Sequence, residues 1–200
     1  MQLLMSPPSP YARMARVALR ELGLTDRVEE VSVQTTPLDS NPRAVSANPT
    51  GRIPSLVRDG APSMYDSRVI CRYLDDLAGG KLYPDARIWE VLTLEATGHG
   101  LSDSGIAMVY QARFVGSEGA SAGWIEAQWG KVARSVEALE ARWLSHLAGP
   151  LDAGQIAVGC GLAYVDFRLP ERDWREAAPG LAEWFGRFNA RPSMQETAPG

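Results

Sequence analysis

Only two cysteines and two histidines occur in the 200 residues. Cys71 and Cys160 fall on separate helical patterns, with neither a Cys-x-x-Cys nor a zinc spacing, so they read as buried thiols of a reducing compartment. With them, His99 and His146 complete neither an evident metal site nor a hydrolytic triad, and no metal is expected. An excess of positive charge is also missing. Lys and Arg number 20 against 24 Asp and Glu, and the arginines are scattered, which argues against nucleic acid as a partner. No stretch approaches the roughly 20 apolar residues that a membrane helix needs, and no charged start leads into an apolar run at the N-terminus. The expectation is a cytoplasmic protein without a membrane partner. No glycine-rich loop follows a strand, so a nucleotide cofactor is not expected, and there are no internal repeats.

A 45% hydrophobic and 22% charged chain of this length folds as one large or two small domains. Its densest local information is Asn48-Pro49-Thr50-Gly51-Arg52-Ile53-Pro54-Ser55-Leu56, followed after a hairpin turn at Asp59-Gly60 by Met64-Tyr65-Asp66-Ser67-Arg68. Pro54 has no N–H to give a sheet and restricts Ile53 to an extended conformation. Ile53 can therefore offer its own N–H and C=O to a peptide-like ligand. Asp66-Ser67 opens a helical pattern, whose unpaired N–H groups and positive dipole end favour a carboxylate.

This stretch resembles the glutathione-binding half of the glutathione transferase family, whose pattern runs Asn-Pro-x-Gly-Lys/Arg-Val/Ile-Pro-x-Leu and then Glu/Asp-Ser before a helix. The resemblance implies that Ile53 pairs its backbone with the cysteinyl part of glutathione across a cis bond to Pro54. It implies also that Asp66 and Ser67 hold the γ-glutamyl end. It extends over nearly the whole chain and is most specific over residues 6 to 74 and 151 to 192.

Taken in order, Leu3-Leu4-Met5 is a short strand ended by Ser6-Pro7-Pro8-Ser9-Pro10. Ser9 is suited to cap a helix with Pro10 in its first position, and Gly23 supplies the stop. Val28 to Val33 reads as a second strand. A loop rich in Asn, Pro and Ser follows, then strands near 55–58 and 63–65, then a helix from Ser67 to about Ala78. The order β-α-β-β-β-α is that of a thioredoxin-like domain, predicted over 1–78. A linker over 79–85 and an all-helical domain over 86–200 complete an α+β chain. In the helical part the pattern predicts one helix from Ala86 to about Phe114, bent or closely packed at Gly98, Gly100 and Gly105. It predicts a second from before Ile125 through Leu147 to Gly149-Pro150. Asp152-Ala153-Gly154-Gln155 reads as a capping box in which Asp152 accepts from the Gln155 N–H and Gln155 reaches back, ahead of a buried helix over 156–169. Family members are similar here, with Ser/Thr and Asp in those places. The tryptophans, falling mostly on helical faces, read as core.

Ser9 carries two readings, a helix cap and a hydroxyl that donates to the glutathione sulfur. Ser9-Pro10-Tyr11 resembles the Cys-Pro-Phe/Tyr of omega-like members with serine in place of cysteine. A cysteine would exchange disulfides with glutathione, whereas a serine can only donate to a bound thiolate, which favours conjugation. Ser6 and Tyr11 are the next donors to consider. The resemblance implies a homodimer, with a pocket for a small hydrophobic electrophile walled in part by the helical domain. Tyr11, His99, Asp103 and Tyr110 are candidates for that wall, although His99 taken alone reads as a surface or packing residue. Three readings stand: a glutathione transferase with glutathione as co-substrate, a zeta-like glutathione-dependent isomerase, and a non-catalytic glutathione-binding or ligand-binding module.

Overall fold

The computed structural model describes residues 1–115 and 121–199. They form two compact units, Met1–Ile88 with Pro192–Gly200, and Trp89–Arg191.

The first unit is built on a four-stranded mixed sheet of β1 (Gln2–Met5), β2 (Glu29–Ser32), β3 (Ser55–Arg58) and β4 (Ala61–Met64), in the spatial order β2-β1-β3-β4. β1 and β2 run parallel, so a crossover must join them. That crossover is α1 (Pro10–Glu21), with Pro10 at its first position and Gly23 at φ +66° just beyond its end. β3 is antiparallel to β1, with Leu4 opposite Ser55, and β4 is antiparallel to β3 around Gly60 at φ +69°. Pro62 falls in β4, an edge strand, where a missing N–H does least harm.

Alternation along β1 gives each sheet face its own core. Leu3 and Leu4 are both fully buried, and Leu4 belongs to a cluster with Val33 and Ala47 on which Val31, Ile53 and Val57 pack. α1 packs against α3 (Ser67–Leu77), and between them they bury Met14, Ala15, Ala18, Ile70 and Leu74. Cys71 and Cys160 are buried and not joined in a disulfide.

The stretch before Asn48 departs from its reading as a loop, because it contains a short helix, α2 (Pro42–Ala47). Asn41 caps it by accepting from the Arg43 N–H at 2.9 Å and Pro42 is its first residue, the same pair of signals that opens α1. After α3, Asp75 is buried and its carboxylate accepts from the N–H groups of Lys81, Leu82 and Tyr83, at 2.6, 2.7 and 3.2 Å.

The second unit is helical. α4 (Ile88–Val115) runs unbroken, and its glycines serve close packing: a Cβ on Gly98 would lie 2.3 Å from the carbonyl carbon of Ala157, and one on Gly105 would lie 3.2 Å from the Tyr164 ring. Where one helix is expected up to Leu147, two are found. α5 (Ala122–Arg142) closes at Trp143, and α6 (Leu144–Leu147) begins after that residue leaves helical geometry at φ −120°. α7 (Ala153–Arg168) is buried from Ala153 through Val165 and is the centre of the unit. α8 (Pro179–Asn189) has no capping side chain of its own, and Glu140 of α5 accepts from its Gly180 and Leu181 N–H groups at 3.1 and 2.6 Å. Trp174 and Trp184 are core residues as expected, whereas Trp89 is 76% exposed. A last short helix, α9 (Pro192–Glu196), belongs to the first unit and packs on α1.

Asp152 caps α7 through the Gln155 N–H at 3.1 Å, but Gln155 does not close the box as expected. Its amide donates instead to the carbonyls of His146, Gly149 and Pro150, at 3.3, 3.3 and 3.0 Å. The turn at Gly149-Pro150 brings those acceptors within reach, and the second Asp152 oxygen lies 2.7 Å from His146 Nε2.

Candidate functional site

Register places the candidate residues of the first unit at one end of the sheet. β1 ends at Met5 beside the end of β2, Ser55 opens β3 opposite Leu4, and β4 finishes at Met64 opposite Leu56. Ser9 follows the first of these points, Ile53 and Pro54 precede the second, and Asp66 and Ser67 follow the third.

Ser9 is the N-cap of α1. Its Oγ accepts from the Ala12 N–H at 3.2 Å, its own N–H donates to the Ser6 carbonyl at 3.0 Å, and it is half-buried. A hydroxyl has one hydrogen and two lone pairs, so the cap occupies an acceptor and leaves the O–H able to donate. Both readings of Ser9 are thus compatible with one geometry. Tyr11, two residues on, is also half-buried.

The Ile53–Pro54 bond is cis. The Ile53 side chain is anchored on the Leu4, Val33 and Ala47 cluster. Its N–H and C=O, lying just outside β3, take no backbone partner among the described residues. A braced turn leads into it. The buried Asn48 accepts from the Thr50 N–H at 3.0 Å and donates to the Arg52 carbonyl at 3.1 Å, a carbonyl that also accepts from Ser55 Oγ at 3.0 Å. Gly51 stands at φ +66°, and Thr35 Oγ1 donates to its carbonyl at 3.0 Å. A side chain at Gly51 would also meet Ser40 Oγ at 2.8 Å, so both conformation and space call for glycine there. The motif shows the need for Asn48 and Gly51, but nothing in the sequence marks Thr35.

Asp66 caps α3, accepting from the Arg68 N–H at 3.0 Å and from its Nη2 at 2.9 Å, and stays exposed. Ser67 is the first helical residue and is buried. The peptide edge at Ile53, a carboxylate at Asp66 and the first turn of α3 together present a backbone donor and acceptor, an anionic group for an ammonium, and N–H groups for a carboxylate. Such groups are complementary to a charged, peptide-like ligand.

His99, Asp103 and Tyr110 lie on α4 in the second unit. His99 is buried, Asp103 is exposed, and the half-buried Tyr110 has its ring 5.2 Å from that of Phe114. Tyr164, which the sequence reading does not single out, has a hydroxyl pushed up to about 12, chiefly by burial and further by Tyr110, with Arg168 pulling the other way. Among the described residues no group of three or more His, Cys, Asp or Glu could hold a metal ion. No helix described is long and apolar enough to cross a membrane.

Two families match the chain: Glutathione S-transferase, N-terminal domain, over residues 8–77, and Glutathione S-transferase, C-terminal domain, over residues 122–187. Among solved structures, a glutathione transferase family member from Pseudomonas fluorescens Pf-5 with bound glutathione is 36% identical, with a TM-score of 0.96 over 100% of this chain and 98% of that one. The protein from that strain is also known with bound S-(propanoic acid)-glutathione. A glutathione S-transferase from Methylobacillus flagellatus KT with glutathione bound is 31% identical, with a TM-score of 0.85 over 100% and 99%. The uncharacterized GST-like protein YibF of Escherichia coli K12 is 26% identical, over 100% of this chain and 98% of its own. The chain belongs to the glutathione S-transferase family.

Proposed function

We propose that the protein is a glutathione transferase that binds glutathione at the end of the first unit's sheet and attacks a small hydrophobic electrophile with its thiolate. The observation that carries the reading is the meeting of Ser9, the Ile53–Pro54 edge and the start of α3 at that end, in a chain whose relatives bind glutathione. Ile53 would pair with the cysteinyl backbone, Asp66 with the γ-glutamyl ammonium, and the Ser67 end of α3 with its carboxylate. The Ser9 O–H would donate to the sulfur.

Energetics divide the work between activation and positioning. A thiol with a pKa of about 8.5 is roughly 3% ionised at pH 7, and lowering it by about two units, worth ~2.7 kcal/mol, raises the thiolate about 25-fold. Nucleophilicity falls with basicity, and a Brønsted slope near 0.45 takes back about eightfold, leaving a gain of roughly threefold. The larger share must come from holding sulfur and carbon in line. The thiol proton passes to water and the sulfur forms a bond to carbon. Either a leaving group departs with its bonding pair, or the electrophile's carbanion or alkoxide takes a proton.

A turnover screen with glutathione against halogenated aromatics, epoxides and enones tests this. Glutathione-dependent consumption of at least one class, lost or slowed in Ser9→Ala, is expected. Glutathione binding without turnover of any class would leave a binding module and reject the transferase reading.

A further inference from the structure

Three arginines line one face of α1, Arg13, Arg16 and Arg20, at spacings that stack them along the helix. Arg13 and Arg16 are only 4% and 8% exposed, and a guanidinium leaves water at low cost only when its N–H groups find acceptors. Residues at the far end of the sequence supply acceptors to Arg13 and, alongside Glu30, to Arg16 and Arg20. Arg13 Nη2 donates to the Met194 carbonyl at 2.8 Å and its Nε to Thr197 Oγ1 at 3.4 Å. Arg16 Nη1 donates to the Thr197 carbonyl at 3.4 Å, and Arg20 Nε donates to Glu196 at 3.0 Å. Ser193 Oγ donates to Glu21 at 2.5 Å. Thr197 is fully buried, and its hydroxyl accepts from Arg13 while donating to the Ser193 carbonyl at 2.7 Å.

Arg13 is also the residue whose backbone N–H closes α1 onto Ser9, at 2.9 Å from the Ser9 carbonyl. The turn that carries the cap and the turn gripped by residues 194 and 197 are the same turn. We infer that residues 193–197 form a strap that fixes the N-terminal turn of α1, with Arg13 and Thr197 as positioning residues for the Ser9 hydroxyl. Helix ends fray, and a hydrogen bond to sulfur weakens steeply when its donor is misaligned, so the strap sets how much thiolate the site holds. The inference rests on Ser9 as the donor.

Thr197→Val keeps the side-chain shape and removes the hydroxyl, and Thr197→Ser restores the hydroxyl. The ultraviolet titration of enzyme-bound glutathione thiolate is recorded for both, beside the parent and Ser9→Ala, together with melting temperatures. Thr197→Val is expected to raise the bound-thiol pKa by about half a unit, which from a starting value about two units below 8.5 is an approximately 1.5-fold loss of thiolate at pH 7. Thr197→Ser is expected to titrate like the parent. A Thr197→Val protein that melts earlier but titrates like the parent, while Ser9→Ala titrates higher, overturns the strap and leaves the donor role standing. Unchanged titration in Ser9→Ala overturns both.

Discussion

At Ser9 one lone pair of the hydroxyl is engaged by the Ala12 N–H, and the hydrogen remains to be placed. Ser9→Ala removes both functions, so it should lower stability by about 0.5–2 kcal/mol through the lost cap and also move the bound-thiol titration to higher pH. Chemical denaturation reads the first effect and thiolate absorbance the second. Ser9→Cys should open disulfide exchange with glutathione at the expense of conjugation, detectable as mixed disulfide by mass spectrometry. Asp152 shows how far residue chemistry is legible in sequence. Its cap on Gln155 follows from spacing, but its approach to His146 depends on a turn that brings residue 146 back, and no pattern announces that. Because Asp152 is fully buried with both oxygens engaged, Asp152→Ala should cost about 2 kcal/mol or more by calorimetric melting, above a bare cap. Thiolate titration of the folded fraction should not move.

Elements were legible where local chemistry repeats, as at Ser9-Pro10 and Asp59-Gly60, and obscure where tertiary packing decides. α2 is short, and its cap sits among other loop-forming residues, so Asn41-Pro42 is easily read as more loop. The glycines of α4 look like helix breakers, yet the helix is continuous because α7 needs the space: Gly98→Ala would push a methyl into the Ala157 backbone and should cost about 1–3 kcal/mol, measured by denaturant midpoint. Gly100 has nothing within 4 Å of its Cβ position, so Gly100→Ala should be neutral or stabilising. Between α1 and β2, burial acts to raise the Glu30 carboxyl, but hydrogen bonds from Arg20 and Arg16, with their charges, carry it below its ordinary value. A lowered carboxyl contributes stability above the unfolded-state value of about 4.3 and loses it as pH falls through the folded-state value. The acid-side loss of stability should therefore be shallower in Glu30→Gln than in the parent between pH 5 and about 2, by denaturant titration at each pH.

At the scale of the whole molecule, parallel pairing of β1 and β2 follows from a helix between two short strands, and the antiparallel β3 and β4 follow from their tight turn. Hence the end of the sheet that gathers the candidate site could be deduced in sequence order. The return of residues 192–199 to the first unit could not, since buried arginines on α1 look in sequence like ordinary surface charge. We propose that the protein acts as a homodimer, so light scattering at micromolar concentration should give a mass near twice the chain's 21.7 kDa rather than that value itself. The most direct measurement of all is calorimetric titration with glutathione, paired with melting at rising glutathione concentration. Saturable heat near one site per chain, with a melting temperature that climbs with the logarithm of ligand concentration, is the expected result. Absence of heat and an unmoved melting temperature at millimolar glutathione would contradict a glutathione site in this chain.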